Sequence, residues 1–371
     1  MPGFWPMRRR SRSVQVCLAL ALLVAAALKV SGQSASSPAA ETGWNALDEG
    51  DGDKAAAAFN RALIERPRDP ALLFGAGAAA HLAGRDSAAC ELLRKALQAE
   101  PRLTPASALL GQITYDSGDV AAAIRVYEAA LVHAPQQRAL RQRLEMWRSE
   151  AGKTTYVSGP YTIMFEGQKD ERLAAHATTV LDAAYWRIGK TIGAYPAAPI
   201  TVVLYTGQEF HDVTGAPEWS AGSFDTRIRI PVRGALQTSA GFDRVLTHEL
   251  AHAMVASLAA RGVPAWLHEG LAVNLEPGDV DGAEQRLRAR RLFVPLDRLQ
   301  SGFARFNGAQ AQVAYDVSAV AARALMNRLG TQIALLLGEL DRGSEFADAA
   351  GRLGVQASQF EDALSRAIKR P

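Results

Sequence analysis

Residues 36–137 align with themselves at a shift of 34, and five columns hold one residue in all three copies: Gly43/Gly77/Gly111, Gly50/Gly84/Gly118, Ala55/Ala89/Ala123, Ala62/Ala96/Ala130 and Pro67/Pro101/Pro135. Self-similarity at such a period is the mark of stacked supersecondary units, each unable to bury its apolar face alone. Every column has a physical reason. Small residues let two helices cross closely, glycine lets the chain turn between them, and proline stops the second helix. Phe59, Leu93 and Tyr127 share a further column and supply the interhelical packing. A stack also needs an end, and Leu140, Leu144 and Trp147 recur at i, i+4 and i+7 just beyond the third copy. That pattern predicts a capping helix and linker over 138–152.

The period and its glycine, alanine and proline columns resemble the tetratricopeptide repeat, although the aromatic which that family keeps near the start of its first helix is absent. The resemblance implies an all-α solenoid of three helix pairs at 36–137, with a concave face that recruits a substrate or a protein partner. His81 and His133 lie inside it without partners at metal-ligand spacing and read as packing or surface residues.

With 371 residues the chain is too long for one ordinary domain, and the prior is two or three. Its start is distinctive. Arg8, Arg9, Arg10 and Arg12 precede an unbroken apolar run from Val16 to Leu28, after which the sequence returns to small and polar residues. That order predicts a signal peptide over 1–32, cleaved near Gly32, and an exported protein of the periplasm or cell envelope. Membrane attachment is expected only if the segment stays uncleaved. Ser-Arg-Ser after the arginines argues against a twin-arginine signal, and Cys17, near the start of the run, argues against a lipoprotein site. Cleavage leaves Cys90 alone, so no internal disulfide can form. The net charge of +3 comes from the same segment: without its five bases, 36 basic residues face 38 acids. Bulk charge therefore gives no support to a nucleic-acid partner.

Beyond the polar joint Ser149–Lys153 the pattern changes. Strand-like runs at Tyr161–Phe165 and Ile200–Tyr205 flank a helix striped by Leu173, Ala177, Val180, Leu181, Ala184 and Ile188, which predicts an α+β domain. At its centre stands H-E-x-x-H over 248–252. His248 and His252, four apart on a helix, project from one face and can bind a single Zn²⁺, while Glu249 lies where it can act on a water molecule. The pentapeptide arises by chance roughly once in a hundred or more chains, so context must decide. A catalytic zinc usually takes a third protein ligand. His268 and Glu269, seventeen residues past His252, are the two nearest candidates, and neighbours on a helix point about 100° apart, so one of them is expected to face the site.

The setting of that pair, Pro264-Ala-Trp-Leu-His-Glu-Gly-Leu-Ala272, resembles the gluzincin metallopeptidases, as do Gly222-Ser-Phe-Asp-Thr-Arg-Ile-Arg-Ile-Pro231 and Tyr315-Asp-Val-Ser318. The likeness spans roughly 155–371 and implies a zincin-like domain with Glu269 as third ligand, one Zn²⁺ and Glu249 as general base. By the same resemblance Tyr315 is the candidate donor to the developing oxyanion. Zincins hold substrate along an edge strand, and Arg227-Ile-Arg-Ile230 is expected to supply it, its arginines defending an exposed edge. The place four residues after Glu269, where some gluzincins keep an orienting carboxylate, is Val273. His176 and His211 read as ordinary helix and loop residues, and the arginines at 286, 288, 290 and 291 as a solvated helix face.

The function expected is hydrolysis of peptide bonds in a peptide or protein substrate. No Gly-x-Met-Glu-Asn aminopeptidase motif is visible, which favours an endopeptidase. The rival is a repeat-based interaction protein whose zinc domain is structural; an intact Glu249 speaks against it, because a structural site needs no base.

Overall fold

The computed structural model describes residues 37–167, 171–205, 223–224, 227–231, 239–278, 280–303 and 306–369. The expected signal segment, His211 and the Gly222, Asp225 and Thr226 positions of the gluzincin-like run lie outside the described residues. The chain divides into two compact units, Met1–Gly152 and Lys153–Pro371. No helix among the described residues is long and apolar enough to cross a membrane.

In the first unit the chain forms helices α1 (Pro38–Asp48), α2 (Gly52–Glu65), α3 (Pro70–Leu82), α4 (Asp86–Ala99), α5 (Thr104–Asp116), α6 (Val120–His133) and α7 (Arg138–Ala151). Starts at 52, 86 and 120, and at 70, 104 and 138, recur at the period of the sequence. The identical columns explain the helix pairs. A Cβ at Gly43 or Gly77 would lie 2.8–2.9 Å from Phe59 or Leu93, and one at Gly111 would run into the Tyr127 ring. The glycine column is thus the floor on which the large column rests. Gly50, Gly84 and Gly118 have φ of +77°, +73° and +93°, the left-handed turn that side chains resist. Asp51, Asp69 and Asp119 cap the helices that follow them by accepting backbone N–H bonds. On α7, Trp147 is fully buried, its ring stacked on Tyr115 at 4.7 Å and tilted against Tyr127 at 4.4 Å. Glu150, expected in a polar joint, is instead a buried part of α7 and accepts the Tyr115 hydroxyl.

The second unit opens with a hairpin of β1 (Thr154–Ser158) and β2 (Tyr161–Phe165). Helix α8 (Glu171–Ile192) then leads to β3 (Ile200–Tyr205), which lies parallel to β2. Two short strands, β4 (Ser223–Phe224) and β5 (Ile228–Pro231), complete a sheet ordered β1-β2-β3-β5-β4. Period-two alternation sends Ile163, Val202, Leu204, Ile228 and Ile230 to one face, where they join the main core with α8. The opposite face carries a smaller cluster of Met164, Val203 and Tyr205.

Here one expectation is corrected. The 227–230 segment is an inner strand rather than an edge: β5 pairs with β3 in parallel and with β4 antiparallel. Arg227 and Arg229 are buried, Arg229 to 2 % exposure, so they do not guard an open edge. Among the described residues the outermost strand on that side is β4.

The remaining described elements of the unit are helical, among them α9 (Ser239–Leu258), α10 (Ala265–Leu275), α11 (Val280–Arg290), α12 (Gly308–Leu329), α13 (Ile333–Asp341), α14 (Phe346–Arg352) and α15 (Ala357–Lys369). Helix α9 packs against β5, α8, α10 and α13, so it is apolar around most of its circumference, with Leu246, Leu250, Met254 and Val255 all buried. Helix α10 crosses α12 at Gly270, where a Cβ would run into the Ser318 carbonyl and come within 2.7 Å of the Ala322 Cβ. Asn274 ties the crossing by donating from Nδ2 to the Gly270 and Ala319 carbonyls at 2.7 and 2.8 Å.

Candidate metal centre

Helices α9 and α10 bring three side chains to one point. His248 Nε2 and His252 Nε2 lie 3.1 Å apart, and Glu269 Oε2 lies 3.9 Å from the first and 3.4 Å from the second. Donor atoms held about 2.0–2.2 Å from a common centre at tetrahedral angles stand roughly 3.3–3.6 Å from one another. The 3.4 Å separation falls in that range, and the 3.1 and 3.9 Å separations bracket it. Two imidazoles and one carboxylate are also the donor set of a site that keeps a position open. Among the described residues these three form the group able to hold a metal ion.

The partners fix the chemistry of each ligand. His248 Nδ1 lies 2.8 Å from Glu276 Oε2. A carboxylate can only accept, so Nδ1 carries the proton and, in the neutral ring, Nε2 offers its lone pair to the cluster. Burial works against a charged His248 ring, but the carboxylates of Glu276, Glu249 and Glu269 outweigh it and raise its pKa above 6.5. Burial likewise opposes ionisation of Glu269, yet the facing His252, His248 and His268 rings hold its carboxyl down at about 2. Glu269 is therefore held as an anion, the form in which a carboxylate can bind a metal ion. Glu249 follows His248 on α9, is only 8 % exposed, and stands close enough for its charge to act on that ring.

One residue, Glu276, and one contact, that of His268, escaped the sequence reading. Glu276 is the orienting carboxylate that the Val273 position seemed to deny. It stands just past the C-terminus of α10, with extended backbone, and Arg244 Nε lies 3.8 Å from its other oxygen. Helical spacing carries no firm signal for it, because Glu276 stands one residue beyond the helix. His268 makes the contact. It was expected to turn away, but its ring stacks on His252 with centroids 4.3 Å apart and planes at 26°. Glu269 meets His252 at the ring edge and His268 covers the ring face, so neighbours about 100° apart can both reach it.

Tyr315 lies on α12, the helix that packs on α10, with its ring partly exposed and edge-on to Phe303 at 5.1 Å. The next residue, buried Asp316, accepts two bonds from Arg286, at 3.0 and 2.6 Å, so that arginine clamps α11 to α12 instead of lining a purely solvated face. His176 is paired with Asp243 across α8 and α9 at 2.6 Å. Burial raises the Cys90 thiol pKa, as befits an unreactive core-edge residue.

Residues 180–363 match the Peptidase MA superfamily. The matched span contains the whole cluster, from α8 to α15, and supports a zincin-like peptidase domain of metallopeptidase type. A comparison with curated proteins finds no match. The matched span and the metal-competent group found among the described residues thus fall in one unit.

Proposed function

We propose that this chain is an exported zinc-dependent endopeptidase, in which an N-terminal tetratricopeptide array recruits the substrate or a protein partner to a gluzincin-like catalytic domain. The observation that carries the reading is the convergence of His248 Nε2, His252 Nε2 and Glu269 Oε2 beside buried Glu249, inside the span that matches a peptidase superfamily. These three residues would hold Zn²⁺, which when bound supplies Lewis-acid polarisation of a peptide carbonyl and of water. Glu249 takes a proton from the attacking water at a carboxylate oxygen, the water oxygen bonds to the carbonyl carbon, and Glu249 returns that proton to the amine nitrogen as the C–N bond breaks. Tyr315 is the proposed hydroxyl donor to the carbonyl oxygen as it gains charge. Glu276 keeps the His248 lone pair aimed at the cluster.

Incubating the purified, zinc-loaded protein with a diverse peptide library tests this reading, with products read by mass spectrometry. Glu249→Gln is expected to lose about 10²–10⁴-fold in hydrolysis while retaining its zinc. Hydrolysis unchanged in that variant would sink the mechanism. No cleavage by zinc-containing wild type would favour a repeat-based interaction protein. The same spectrometer reads the N-terminus of the exported protein, which is expected to begin after Gly32.

A further inference from the structure

The two histidines of the cluster are held by different devices. His248 donates its Nδ1 proton to Glu276 at 2.8 Å. His252 has no counterpart to that bond, because its Nδ1 is buried and finds no hydrogen-bond partner among the described residues. A ligating imidazole ordinarily gives this second N–H to a carboxylate, a carbonyl or water, and the bond sets the orientation of the ring. Without it, His252 needs another restraint to keep Nε2 aimed at Glu269. The ring is enclosed by two other imidazoles. His248 stands edge-on at 4.6 Å and 87°, and His268 lies stacked at 4.3 Å and 26°. His248 shares α9 with His252, whereas His268 comes from α10, the helix that also delivers Glu269.

We propose that His268 is a positioning residue for the metal centre: its ring, laid on His252, fixes the plane of that imidazole and replaces the hydrogen bond that Nδ1 lacks. The inference rests on the zinc reading given above. It makes a particular demand, namely that the restraint on His252 comes from the flat ring of residue 268, apart from the charge by which that ring also acts on Glu269. An aromatic residue without nitrogen can then serve, and an aliphatic one cannot.

The test uses the full chain as wild type, His268→Ala, His268→Leu and His268→Phe, each checked for native helix content by circular dichroism. Zinc affinity is measured by competition with a chromogenic chelator, and Co²⁺ is used as a second probe whose visible absorption reports ligand geometry. His268→Ala is expected to weaken zinc binding by about 10–100-fold and to alter the Co²⁺ spectrum, as loss of an outer support does. His268→Leu fills the volume without a ring and is expected to behave like the alanine variant. His268→Phe is expected to restore both readouts to within a few-fold of wild type. Affinity unchanged in His268→Ala overturns the proposal, and so does His268→Phe being as weak as His268→Ala, since the nitrogens would then be what matters. Wild type that takes up no zinc overturns the zinc reading and this inference with it, whereas tight zinc in wild type and alanine variant alike overturns this inference alone.

Discussion

His248 and Glu276 show how much of a candidate ligand's behaviour is decided at the atom that faces away from the cluster. The raised pKa of His248 means that its protonated form persists to a higher pH than an ordinary imidazole, so protons displace zinc as the pH falls through that raised value and the site fills as it rises. In NMR titrations of metal-free protein, His248 is expected to titrate above 6.5, and in Glu276→Gln its midpoint is expected to move down, because an amide gives the imidazolium less support. The same variant is expected to bind zinc about 10–100-fold more weakly at a pH where both rings are neutral. A midpoint indifferent to the substitution would separate Glu276 from the ligand. At this scale the spacing of His248, Glu249 and His252 was legible because a helix fixes it, and Glu269 because its setting resembles a known one. Glu276 lay one residue past the end of α10, and the stack of His268 on His252 depends on how two helices approach, which no local spacing encodes.

Helices α9 and α10 each deliver part of the cluster, and Gly270 governs the crossing that holds α10 in place. Gly270→Ala would push α10 off α12 at the Ser318 carbonyl. It is expected to cost about 1–3 kcal/mol in denaturant unfolding and to weaken zinc binding, although residue 270 is no ligand. Retained affinity with lost stability would show that α10 positions Glu269 without help from α12. The elements were legible to different degrees. The stripe on α8 and the runs of β2 and β3 announce themselves by periodicity. The placing of β5 does not, because its neighbour β4 is two residues long and carries no period, so a strand that reads as an edge by its arginines proves to be internal. Those arginines are buried, and their composition alone pointed the wrong way.

Across the whole molecule, repetition governs one unit and a metal-competent cluster the other. Calorimetry of the zinc-loaded full chain is expected to resolve two transitions, of which a chelator lowers only the one belonging to Lys153–Pro371, zinc at 100 times its dissociation constant being worth about 3 kcal/mol to the state that binds it. A chelator that moves both transitions together would show the units to be thermodynamically coupled. The 34-residue period was visible from the first alignment because each column answers one recurring steric need. Gly43 meets Phe59, Gly77 meets Leu93 and Gly111 meets Tyr127 within one copy, while Phe59 also lies over Gly75 of the next. Because the within-copy contacts recur at each step, a lineage of such genes can lengthen or shorten this arm by in-frame duplication or deletion of whole copies. Trp147 is the fixed terminus of that process, so new copies are tolerated ahead of the last pair and not behind it.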